Sequence, residues 1–164
     1  MSKTFLILAL TALTIVSCSK DKNDDNNNTG YHFSAKVDGV KKEFKTSVNA
    51  QLDGTSAQTG YNLFINGGGG TSSYPLPNFY VEVTADEPIV PKTYYTIPNQ
   101  EWEAKGDYWT DAGHYDNDNL NFSITITSIS STEVRGTFSG TLEDDAIGQV
   151  ITITEGSFSA PLVP

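Results

Sequence analysis

Asn121-Phe-Ser-Ile-Thr-Ile-Thr-Ser-Ile129, Val134-Arg-Gly-Thr-Phe-Ser-Gly-Thr-Leu142 and Val150-Ile-Thr-Ile-Thr-Glu-Gly-Ser-Phe-Ser-Ala-Pro-Leu162 dominate the C-terminal third of the chain. In the first, Phe122, Ile124 and Ile126 alternate with Ser123, Thr125 and Thr127. In the second, Val134, Gly136, Phe138, Gly140 and Leu142 share one face, and Arg135, Thr137, Ser139 and Thr141 take the other. A period of two is the signature of a half-buried strand. Short Ser/Thr and acidic stretches separate the runs, so they read as an antiparallel meander. In the third run the apolar set begins on odd positions, Ile151 and Ile153. It ends on even ones, Phe158, Ala160 and Leu162. A one-residue shift flips every side chain. A β-bulge is therefore expected at Glu155-Gly156, with Gly156 in the left-handed conformation.

The same alternation recurs upstream. Phe33, Ala35 and Val37 lead to Asp38-Gly39, a dipeptide suited to the positive φ angles of a tight hairpin, and then to Val40, Lys42 and Phe44. Val48, Ala50 and Leu52 form a third run, closed by Asp53-Gly54. Gly54 to Gly60 reads as a loop. Tyr61, Leu63 and Ile65 mark a strand face, and Gly67-Gly68-Gly69-Gly70 opens a long connection. Phe79, Val81, Val83 and Ala85 mark another strand. From Asp86 to Asn119 the pattern breaks down around Pro88, Pro91 and Pro98, with short strands expected near 93–97 and 102–105. Helix signals are nearly absent. The fold expected is all-β, an antiparallel β-sandwich or partly closed barrel of about eight to ten strands.

The front of the chain has a different character. Lys3 precedes an apolar run from Phe5 to Val16, too short to span a bilayer, and Ile15-Val16-Ser17-Cys18 ends it. This resembles a bacterial lipobox. Residues 1–17 then form a lipoprotein signal peptide, Cys18 is lipidated, and residues 18–30 are an acidic, Asn-rich tether without the apolar content to fold. Residues 31–164 form a single domain. Cys18 is the sole cysteine, so no disulfide forms within the chain. Phe33-Ser-Ala-Lys-Val-Asp-Gly39, Val134–Leu142 and Ile151–Phe158, taken with the lipobox, look like a group of small Bacteroidetes-type surface lipoproteins of unknown function. That resemblance implies a lipid anchor in the outer membrane, with the domain facing the cell exterior. It brings no catalytic residues. A net charge of −10 argues against nucleic-acid partners, whose phosphates it would repel.

Chemistry is sparsely signalled. There is no Gly-x-Ser-x-Gly elbow, and His32 and His114 are the only histidines, so a non-enzymatic protein is expected. Asp111, Asp116 and Asp118, with Asp107 and Asn117 nearby, offer the hard oxygens that Ca²⁺ prefers, though without the Gly and Glu of an EF-hand loop. No other cofactor is expected. Tyr94, Tyr95, Trp102, Tyr108, Trp109 and Tyr115 fall within 22 residues. Flat rings cover the apolar faces of sugars while carboxylates and amides bond the hydroxyls, so this cluster reads as a glycan-binding surface. The same rings could instead fill the end of the core. The alternative function is a structural or interaction subunit of an envelope assembly, with another envelope protein as partner.

Overall fold

The computed structural model describes residues 30–56, 60–68, 76–96, 103–118 and 120–163. Cys18, the signal segment and the tether up to residue 29 lie outside them, as does Trp102. The described residues form eleven strands and no helix: β1 (His32–Val37), β2 (Val40–Phe44), β3 (Thr46–Ser56), β4 (Gly60–Gly68), β5 (Asn78–Ala85), β6 (Thr93–Tyr95), β7 (Ala104–Trp109), β8 (His114–Asp116), β9 (Phe122–Ile129), β10 (Glu133–Asp144) and β11 (Gln149–Val163). The all-β expectation holds, with one strand more than its upper count.

All eleven belong to one sheet, in the order β2-β1-β11-β3-β4-β5-β7-β8-β10-β9-β6. A further β11–β10 pairing closes seven of them into a ring. The β9–β10–β11 meander is present as read from the alternation. The sheet is mixed, however, and not wholly antiparallel. The end of β11 runs parallel to β3, pairing Leu162 with Ala50 and Val163 with Gln51. β11 is 15 residues long, long enough to leave β10 and β1 behind and reach a second neighbour. The ring's other thin seam is the single pair Glu143–Asp116 between β10 and β8. Two well-paired blocks, β3-β4-β5-β7-β8 and β2-β1-β11-β10-β9-β6, are thus joined at narrow seams.

The inner faces of the two blocks share one core. Phe33 of β1 lies at its centre, with ring centroids 5.6 Å from Phe44, 5.7 Å from Phe79 and 5.1 Å from Phe138. Aromatic pairs at such distances each add about 0.5–1.5 kcal/mol beyond their burial. Gly67 and Gly68, expected in a flexible connection, end β4 and pair with Phe79 and Asn78. A Cβ on Gly67 would fall 2.5 Å from Cγ of Phe33. The bare glycine is what lets that ring lie against the facing strand. Likewise β3 runs on through Asp53-Gly54 to Ser56, absorbing Gly54 in a register irregularity.

The Asp38-Gly39 hairpin forms with φ values of 48° and 79°, as its turn type requires. The Asp38 carboxylate accepts from Thr152 N–H at 2.8 Å, tying the turn to β11. Of the expected β2 face only Phe44 is buried; Val40 and Lys42 are exposed on an edge strand. Lys41, Lys42 and Glu43 put charge on this free edge, which discourages pairing with another chain. The bulge in β11 lies where the phase shift placed it. Register jumps from Thr154 to Ser157 against β1, and from Ile153 to Gly156 against β10. The positive φ belongs to Glu155 (50°) and not to Gly156. Glu155 extends outward to an ion pair with Lys36 at 2.6 Å, and Gly156 turns inward beneath Phe138.

Candidate functional site

β5, β7 and β8 are antiparallel neighbours, and their register stacks alternate residues in rows on the outer face. Tyr80 pairs with Asp107 and Asp107 with Asp116; Glu82 pairs with Lys105; Trp109 pairs with His114. The inner face of the same strands carries Phe79, Val81, Val83, Ala104, Gly106 and Tyr108, all buried. Two local devices hold β7 and β8 together. Thr110 Oγ1 accepts from the N–H groups of Ala112 and Gly113, both at 3.1 Å, and forms the turn. Past the end of β8, the buried Asn117 accepts from Gly106 N–H at 2.7 Å and donates to Thr96 Oγ1 at 2.6 Å. Its amide extends the ladder beyond the backbone pairs.

The outer cluster is built on Asp107, only 2% exposed. One carboxylate oxygen, Oδ1, meets His114 Nε2. The other, Oδ2, lies 3.3 Å from Lys105 Nζ but accepts no bond of proper hydrogen-bonding geometry. His114 Nε2 is also 4.0 Å from Asp116 Oδ2. The imidazole stacks on Trp109, with centroids 3.8 Å apart and planes 19° from parallel. Trp109 remains 44% exposed. A half-exposed indole is therefore backed by a ring that is itself fixed by a buried carboxylate.

The electrostatics follow from burial and crowding of like charges. Burial first, then the neighbouring Asp107 carboxylate, push the Tyr80 hydroxyl far above the usual phenol range. Glu82 is raised by burial and by Asp107, against the opposing pull of Lys105. Asp116 is raised by burial, and the charges of Asp118 and Asp107 add to the effect. Burial pulls Lys105 down, but Asp107, followed by Asp118 and Asp116, carries it above its ordinary value. A carboxyl with a raised folded pKa favours the fold below its unfolded pKa and loses that contribution as pH rises through the folded value. Glu82 and Asp116 therefore cost stability between mildly acidic and neutral pH. Glu82→Gln is expected to raise the melting temperature at pH 7 by the equivalent of up to about 1 kcal/mol, and to flatten that part of the pH–stability profile. Calorimetric melts from pH 4 to 7 check it; an unchanged profile contradicts it.

Of the six aromatic residues singled out in the sequence, the five that are described do not converge on one site. Tyr94 is fully buried, its hydroxyl donating to Val90 O and accepting from Val90 N–H, both at 3.0 Å. Tyr108 and Tyr115 face the core; Tyr108 packs near Phe44 and Phe79, and Tyr115 donates to Gln149 Oε1 at 3.1 Å. Three of the rings thus fill the ring of strands. Tyr95 is exposed, but its carbonyl accepts from Glu103 N–H, just before β7. Trp109 ends β7 six residues later, a span of about 20 Å in extended chain.

Of the acidic residues, Asp111 is exposed in the β7–β8 turn and joins no group of converging ligand atoms among the described residues. Asp116 joins two, one with Asp107 and His114, the other with Asp118 and Asp145. Asn117 is committed to the structural bonds described above. Tyr80 and Glu82, outward on an expected strand, and Lys105, at the end of another, carried no site role in the sequence. Their one signal was the alternation of charged and small or apolar residues along β5 and β7. Comparison with protein-family models, curated proteins and solved structures finds no match.

Proposed function

We propose that the chain is a lipid-anchored, non-enzymatic protein of the outer membrane that binds glycan at the cell exterior through a platform centred on Trp109. The observation that carries this reading is the exposed indole stacked on His114, which is held in turn by buried Asp107. A rigid flat ring loses little freedom when a sugar stacks on it, which is the general advantage of a preorganised site. Asp116 and Tyr80 flank it with polar groups suited to sugar hydroxyls, the mix of apolar surface and few polar groups that ligand sites use. A panel of surface polysaccharides and their oligosaccharides, titrated against the purified chain, tests it. Saturable binding of at least one glycan is expected; binding of none would refute the reading.

The anchor rests on Ile15-Val16-Ser17-Cys18. Two or more acyl chains at Cys18 would hold the protein to the membrane almost permanently, since each buried CH₂ adds about 0.8 kcal/mol. Cys18→Ala is expected to move the protein from the membrane fraction to the soluble fraction on cell fractionation. Unchanged partitioning contradicts the anchor. The second reading, a subunit of an envelope assembly, has its cue in a sequence with two histidines and no Gly-x-Ser-x-Gly elbow. Recovery of a specific envelope protein in a pull-down, together with silence across the glycan panel, would select it.

A further inference from the structure

We propose that Asp107, His114 and Asp116 form a binding site for a divalent transition-metal ion of the Zn²⁺ class. The three side chains come from adjacent strands and each offers one ligand atom, all within 4.8 Å of one another. Small rotations of side chains would bring such atoms to the roughly 2.0–2.2 Å that Zn²⁺ makes with nitrogen and oxygen. Asp107 forms the floor. It is almost wholly buried, and its Oδ2 lacks a donor in hydrogen-bonding geometry although Lys105 supplies compensating charge. Oδ1 is the oxygen that meets His114 Nε2, while Oδ2 lies against the Lys105 charge, so the buried carboxylate offers one oxygen to an ion shared with His114 and Asp116. His114 and Asp116 are partly exposed, so the remaining coordination positions face solvent.

The imidazole decides the class of ion. Ca²⁺ takes six to eight oxygen ligands, whereas one nitrogen and two carboxylates suit first-row transition metals. This ion and its ligand set differ from the Ca²⁺ expected at Asp111, Asp116 and Asp118, of which Asp116 is shared and Asp116 and Asp118 converge with Asp145 instead of Asp111. Trp109 stacks on the His114 ring and restricts its rotation, the orienting role that outer contacts play at metal sites. The neighbouring group Asp116–Asp118–Asp145 is purely acidic, with Asp118 and Asp145 exposed and Asp116 partly exposed. It has no buried floor and serves as the competing explanation.

The test uses the purified full chain, stripped with chelator and titrated calorimetrically with Zn²⁺. One equivalent is expected to bind with a Kd below about 10 μM, and millimolar Ca²⁺ should not displace it. His114→Ala should weaken binding at least tenfold, as should Asp116→Asn, whereas Asp118→Asn, which touches only the competing group, should bind as the parent does and serves if the histidine variant does not fold. His32→Ala, on a distant strand, should bind as the parent does. With Co²⁺ in place of Zn²⁺, visible absorption bands should appear in the parent and be lost in His114→Ala. Absence of saturable binding below 1 mM overturns the proposal. So does binding that is retained in a folded His114→Ala variant, which would place the ion on the acidic group. Because the readout is metal alone, it stands or falls apart from glycan binding.

Discussion

Gly156→Ala is expected to destabilise the domain by about 3 kcal/mol, the upper end of the range for overpacking a core. A Cβ at this position would lie 2.4 Å from the carbonyl oxygen of Phe138 and 2.6 Å from its ring. Neither can withdraw. The carbonyl belongs to the β10 backbone directly opposite, since Phe138 and Gly156 are paired residues. The ring is held among Phe33, Phe79, Phe122 and Phe158, with centroids between 5.1 and 6.4 Å away. The bulge at Glu155 is what brings β11 this close, so the substitution strains the meander and the aromatic centre together. Thr137→Ala, one residue from Phe138 on the exposed side of β10, is expected to cost no more than about 0.5 kcal/mol. Urea unfolding of both variants checks the contrast. Equal midpoints would mean that the two strands do not pack at this distance.

The second large effect concerns binding. Trp109→Ala is expected to weaken glycan binding by at least about 2 kcal/mol, roughly 30-fold in Kd, the scale of a Trp anchor in a recognition site. It should change stability much less, because the indole is half exposed and touches the fold mainly through His114. Tyr95→Ala, on β6 beside the far end of β7, should leave affinity unchanged. His114→Ala should show an intermediate loss, since it removes the backing of the indole and not the indole itself. Titration calorimetry with the tightest glycan of the panel orders the three variants. Equal affinities for parent and Trp109→Ala would remove the platform from consideration.

Alternating apolar residues made most strands legible. Phe122, Ile124 and Ile126, or Phe79, Val81 and Val83, could face only one way. The Ile153 to Phe158 phase shift located the bulge, but not which residue bends. β7 was legible only at its start, in the short strand expected near 102–105, because its inner face is Ala104, Gly106 and Tyr108. Gly106 sits beneath the Phe122 ring, where a Cβ would meet it at 2.5 Å, so the apolar surface at that point comes from another strand. Gly67 concealed the end of β4 for the same reason, with Phe33 supplying the bulk. The parallel seam between β11 and β3 depends on strand length and curvature, which composition does not carry. At the candidate site, Trp109 stood out as an aromatic among acids. Asp107 and His114 are seven positions apart, and only the β7–β8 register makes them partners. Burial of Tyr94, Tyr108 and Tyr115 likewise depends on which parity faces inward, and that was ambiguous where prolines broke the pattern.

The most direct measurement is the ¹H–¹⁵N spectrum of the chain, with the Trp109 indole assigned by its loss in Trp109→Ala, recorded as a glycan from the panel is added. Binding at the platform requires the Trp109 indole signal and the amides of β7 and β8 to shift together and saturate, while those around Tyr95 stay still. A glycan that binds while the Trp109 signal and its neighbours do not move would contradict the assignment of this face as the recognition surface.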